Sequence, residues 1–189
     1  MAFLARNPVA QLAMLALLGA PAQGSAQSLT ADEYQVKAAF LYNFARFVEW
    51  PPARFKDPHD PIAICVFGQS PIIEAVEQAV KGKVVAERGF SLHQVWDAGP
   101  AGNCQILFFS GATERKRWRA VVTELRNAPV LTVGETDGFA SEGGIVNFRL
   151  EDGRVRIQVN VEAANRARLQ ISSKLLSLAQ IVGTQNTGR

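Results

Sequence analysis

Between residues 34 and 48, apolar side chains recur every three or four positions. Tyr34, Ala38, Leu41, Tyr42, Ala45 and Val48 form one wide stripe, and Phe40, Phe44 and Phe47 add a second beside it. That period is helical. Thr30 and Glu33 form a capping box ahead of the stripe. Pro51 and Pro52 end it, because the residue before a proline is driven out of the α region. A helix apolar over so much of its circumference must be covered by its own domain, by a second copy, or by both.

The next runs follow a different rule. Pro61–Gly68, "PIAICVFG", is almost continuously apolar, the pattern of a strand buried on both faces. Ser70 and Pro71 then supply a cap and a first helical position, and Gly82 a stop. "KVVAERGFSL" (83–92) reads as a second extended segment, and "CQILFFS" (104–110) as another buried strand. Thr113 opens the helix "ERKRWRAVVTELRN", with Val121, Val122 and Leu125 inward, and "PVLTVGE" is a third core strand. "GGIVNFRLEDGRVRIQVNVEAA" holds two alternating runs joined by Glu-Asp-Gly, a hairpin signal. A last helix over Ala163–Val182 closes the chain. Helices alternating with buried strands predict an α/β fold. The expected architecture is a single three-layer α/β/α domain with a mostly parallel sheet and an antiparallel C-terminal hairpin at one edge.

The first 26 residues stand apart from this pattern. Arg6, the apolar run Val9–Ala20 and a small-residue tail with Gly24 and Ala26 follow the order of a secretory signal peptide. The apolar run falls short of the roughly twenty residues that span a bilayer. Cleavage after Ala26 leaves residues 27–189, about 160 residues and one domain. An exported, periplasmic protein without direct membrane insertion is the expectation. The leader carries one Arg and no acid, so the formal charge of +3 falls to +2. So small a charge, with both signs interleaved, argues against a nucleic-acid partner. In an oxidising compartment Cys65 and Cys104 are a disulfide candidate, the alternative being two buried thiols in neighbouring strands.

Signals for catalysis are weak. "FGQSPI" is a strand-to-helix turn of the kind that can hold phosphate, yet it lacks the glycine spacing of a dinucleotide fingerprint and has no Gly-Lys-Ser/Thr. His59 and His93 are isolated from any Cys/His ligand pattern, so no metal is expected. No Gly-x-Ser-x-Gly elbow occurs, and Cys65 lies inside a strand, a poor place for a nucleophile. Glu49, Asp97 and Glu162 have no spacing that demands paired carboxylates. No catalytic residue and no cofactor is assigned.

"KAAFLYNFARFVEWP" resembles the signature of the YfiR/HmsC-like family of exported bacterial proteins. Further matches follow in order: "ICVFGQSPI", "CQILFFS", "PVLTVGETDGFASEGGIVNF", "RVRIQVNVEAA" and "LQISSKLLSLAQIV". The resemblance implies a homodimeric periplasmic regulator. Such proteins bind the periplasmic sensor region of an inner-membrane diguanylate cyclase and repress it, lowering cyclic-di-GMP and restraining biofilm and exopolysaccharide. The chain departs from family members that carry a second cysteine pair. On this reading Phe40, Phe44 and Phe47 are dimer-interface candidates, and Phe148, Glu162 and Arg168 are candidate contacts to the cyclase. The competing reading is a small-molecule receptor using Arg166 and Arg168 against an anionic ligand.

Overall fold

The computed structural model describes residues 24–184, with residues 24–30 defined by backbone alone. The expected leader therefore lies almost wholly outside the described residues. Helix α1 (Gly24–Phe47) starts ahead of the Thr30 cap and runs into β1 (Val48–Glu49) just before the two prolines. There follow β2 (Ile62–Phe67), α2 (Ile72–Val80), β3 (Phe90–Val95), α3 (Ala98–Ala101), β4 (Ile106–Phe109), α4 (Arg115–Glu124) and β5 (Leu131–Gly134). The C-terminal part holds β6 (Val146–Glu151), β7 (Arg154–Val159), α5 (Val161–Arg166), β8 (Gln170–Ile171), α6 (Ser173–Leu176) and β9 (Ala179–Ile181).

Seven strands form one sheet in the order β3-β2-β4-β5-β6-β7-β9, and β1 pairs with β8 in a separate antiparallel ladder. Strands β3 to β6 run parallel, β6 and β7 form the expected antiparallel hairpin, and β9 lies parallel to β7. Asp152 and Gly153 at the hairpin turn both have positive φ, 50° and 70°. A turn of that kind matches the twist of the strands it joins.

Strand alternation divides the interior into two cores. Ile62, Ile64 and Val66 of β2, Ile106 and Phe108 of β4, and Leu131 and Val133 of β5 face α1 and α2. Cys65, Phe67, Leu107 and Phe109 face the opposite way, toward Trp118 of α4 and the α3 turn. The connection between β5 and β6 has no helix; it covers the second core with Phe139, whose ring lies 4.8 Å from Trp118 and 5.6 Å from Phe109. A Cβ on Gly134 or Gly144 would collide with that ring, so both positions require glycine. The result is the expected three-layer α/β/α arrangement.

Three local expectations are corrected. Residues 83–89 form a turn with positive φ at Ala86 and Glu87, and β3 begins only at Phe90. The hairpin does not end the sheet, because β9 adds a strand outside β7. The helix expected over Ala163–Val182 is broken into four pieces. Asn160 caps α5 by accepting from the Ala163 N–H at 2.9 Å, and α5 stops at Arg166. Arg168 then takes φ 58° while the Leu169 N–H closes back on the Ala164 carbonyl, a left-handed helix end. Ser172 caps the four-residue α6 separately.

Candidate functional site

The parallel strands end on one side of the sheet, and their connections diverge there. From β2 the chain crosses to β3 on one side, whereas β4 lies on the other and leads on to β5. Such a reversal opens a crevice beyond the carboxyl ends of the strands, where α/β sheets bind ligands. Here the crevice is a cleft of about 250 Å³ lined by Phe67, Gly68, Gln69, Trp96, Ser110, Thr113, Glu114 and Arg117. Trp96 is 47% exposed, and its ring lies over Gly68. The Arg117 guanidinium sits 5.1 Å from the Phe67 ring centre and donates to the Trp96 carbonyl at 3.1 Å.

Beside this cleft the same edge carries a buried charge cluster. Lys37 of α1 is 5% exposed and pairs with both Glu33, one turn earlier, and Glu135 at the end of β5. Glu135 also accepts the Gly111 N–H at 2.7 Å, which ties α1 to the β4–α4 loop. Burial works against the Lys37 charge, but hydrogen bonds and attraction from Glu135 and Glu33 outweigh it and hold the ammonium above the ordinary lysine value. Burial, together with the Glu135 charge, raises the neighbouring Tyr34 phenol. Arg115 and Arg119 of α4 share the carboxylate of Glu142 at 3.3 and 3.5 Å. A larger concavity, about 820 Å³, lies at the opposite end of the sheet, between the last turn of α2 and the start of β3.

The residues singled out from the sequence are dispersed. Cys65 and Cys104 form a disulfide with Cα atoms 5.9 Å apart, joining β2 to the segment entering β4. Phe44 has no exposed surface and stacks on Phe148 at 5.9 Å, so it is core and not a dimer seam. Phe40 is half-buried, 5.8 Å from Phe148, and Phe47 is half-buried between Arg46 and Lys174. Phe148 is 2% exposed, so it cannot touch a partner. Its strand register turns Val146, Phe148 and Leu150 toward α1, and only Leu150, at the strand end, stays exposed.

Glu162 and Arg168 are exposed, on α5 and just after it. Arg168 donates to the Asn127 carbonyl at 3.3 Å, and Arg166 reaches the Thr184 hydroxyl at 3.5 Å. The recess that Arg166 lines has a volume of only about 10 Å³, room for one water. Lys37, Ser110 and Glu135 fall within segments that carry the family resemblance, whereas Trp96 and Arg117 do not. Only the strand order brings them to one edge.

Among the described residues no group of three or more metal-binding side chains is clustered, and no helix is long and apolar enough to cross a membrane. No curated protein matches the sequence. Among solved structures the chain is similar to one titled as the ABC domain in complex with L-Trp from Streptococcus pneumonia. The TM-score is 0.47 at 9% identity, over 64% of this chain and 55% of that one. The chain thus spans about half the length of that protein. The YfiR/HmsC-like family model matches residues 34–180, from near the middle of α1 to the middle of β9. With every buried residue of both cores inside that match, the chain belongs to the YfiR/HmsC-like family of regulatory proteins.

Proposed function

We propose that this protein is a periplasmic regulator, not an enzyme, that binds the periplasmic sensor region of an inner-membrane diguanylate cyclase and represses it. Family membership over residues 34–180 carries the reading. The signal-peptide pattern at the N-terminus agrees with it. Repression requires the inactive cyclase to be bound more tightly than the active one, since equal affinity shifts nothing.

With Phe148 inside the core, the proposed contact surface moves to the end of the sheet. Edge strand β9 presents Ile181, 53% exposed, and is preceded by Leu178, 68% exposed. Thr184, just beyond β9, bonds to Asn160 and Arg166, so α5 with Glu162 flanks this edge. A strand edge with no partner strand among the described residues, and with apolar and charged neighbours, suits addition of a partner strand. A homodimer belongs to the same proposal on family grounds. The aromatic stripe of α1 no longer argues for it, because the stripe is largely consumed within the monomer.

Deleting the protein should raise cyclic-di-GMP. Ile181→Arg and Glu162→Arg, with unchanged thermal melting, should mimic the deletion and abolish co-purification of the cyclase. Unchanged cyclic-di-GMP in the deletion strain, with the cyclase expressed, would count decisively against repression.

A further inference from the structure

We infer that the cleft beyond the carboxyl ends of β2 and β4 is a binding site for a small carboxylate with a flat apolar body. Three observations converge on it. The first is place: the cleft lies where the strand connections reverse direction, whereas the larger concavity lies at the amino end of edge strand β3.

The second is the lining. Trp96 leaves nearly half its surface in solvent although its ring backs onto Gly68. That leaves an aromatic face free to stack. Arg117 is fixed by the Phe67 ring and the Trp96 carbonyl, and among the described residues no carboxylate lies within ion-pair distance of it. Its neighbours Arg115 and Arg119 are both engaged by Glu142, so Arg117 is the cation of this helix turned to the cleft. A planar guanidinium held this way favours a carboxylate.

The third is Ser110, a largely buried polar residue, 4% exposed, on the wall of the cleft. Its hydroxyl can donate to or accept from a ligand in the cleft. The N-terminus of the ten-residue α4 opens into the same cleft and adds a favourable field for an anion.

The same lining limits the ligand. Glu114 also borders the cleft and disfavours a second negative charge, which selects a monoanion over a nucleotide phosphate. A volume of about 250 Å³ lies below the range of drug-sized pockets, so a single ring with one acid group is the fitting size.

The test is an NMR titration of the purified full chain, following the three tryptophan indole N–H signals. Benzoate is the probe; acetate lacks the flat body, and inorganic phosphate carries more charge. Benzoate should shift the Trp96 signal saturably at millimolar or lower concentration, with acetate and phosphate each about tenfold weaker or worse. Trp96→Leu removes one of the three signals and so assigns the reporter. Arg117→Gln should weaken benzoate by about tenfold, while Arg119→Gln, on the same helix but outside the lining, leaves it unchanged. Both substitutions are at exposed positions, and equal melting temperatures would confirm that the variants fold. A Trp96 signal that does not move in a saturable way, or benzoate affinity equal in wild type and Arg117→Gln, overturns the site. Acetate or phosphate matching benzoate overturns the ligand class. These readouts need no cyclase, so they stand or fall separately from repression.

Discussion

The two faces of the sheet are stabilised differently. The α1/α2 face carries one continuous core, from Ile62 on β2 to Val159 on β7, with Phe44, Phe108 and Phe148 meeting near its middle. The α3/α4 face is apolar under β3, β2 and β4, with Val130 just ahead of β5. Beyond β5 it becomes polar: Asn147, Gln158 and Gln180 line up across β6, β7 and β9, joined by amide hydrogen bonds of 3.4 and 2.9 Å. The smaller core has a covalent staple and a ring held between two glycines, neither of which the larger one has. Burial alone suffices where a long amphipathic helix can lie across the strands. Where the ten-residue α4, a four-residue helix and a loop do the covering, cross-links and close backbone approaches substitute for area.

Each face can be broken separately. Phe44→Ala removes the ring at the junction of the larger core and should lower stability by about 3–5 kcal/mol in urea unfolding. Removing the staple with Cys65→Ala and Cys104→Ala should lower it by about 2–4 kcal/mol, through loop closure over the 39-residue separation. Reducing the wild type should reproduce that loss. If the double variant is as stable as the oxidised protein, the smaller core does not depend on its bond. Gly144→Ala forces a methyl against Phe139 and should cost about 1–3 kcal/mol, read as a lower urea midpoint at constant slope.

The smallest effect concerns the tie between α1 and the carboxyl edge. Lys37 is raised in the folded state, so its contribution is fully present below the ordinary lysine value, near pH 10.5. That contribution is lost as pH rises through the folded value. Tyr34, also raised, acts in the same direction above about pH 10. Melting temperature should fall above pH 10 in the wild type and less steeply in Lys37→Met. Parallel profiles would remove Lys37 from the account.

In the parallel half of the sheet β2, β4 and β5 were legible because each is a continuous apolar run, whereas the edge strand β3, "FSLHQV", is only partly buried and was expected too early in the chain. The C-terminal part was not legible, and the reasons differ by residue. "LQISSKLLSLAQIV" has helix-compatible spacing, and short apolar runs do not separate helix from strand by period alone. What decided it was pairing with distant partners, Gln170–Ile171 with β1 and Ala179–Ile181 with β7. Ser172 was a local signal for a new cap within that run. Phe148 was recoverable: Val146, Phe148 and Leu150 alternate with Asn147, Arg149 and Glu151, and the apolar set belongs inside. Trp96 and Arg117 were not recoverable, since they are 21 residues apart and meet only through the strand order.

The short ladder between β1 and β8 sets the order in which this chain can become safe from aggregation. Val48 faces Ile171, and the Ser172 N–H bonds to the Phe47 carbonyl. The end of α1 is therefore locked by residues that lie far along the chain from it. Until they pair, Leu41 and Phe44 lack part of the sheet that will cover them, including Phe148 and Val159. Contacts so far apart in sequence form late and leave sticky surface exposed meanwhile. No stable N-terminal half should therefore fold ahead of the rest.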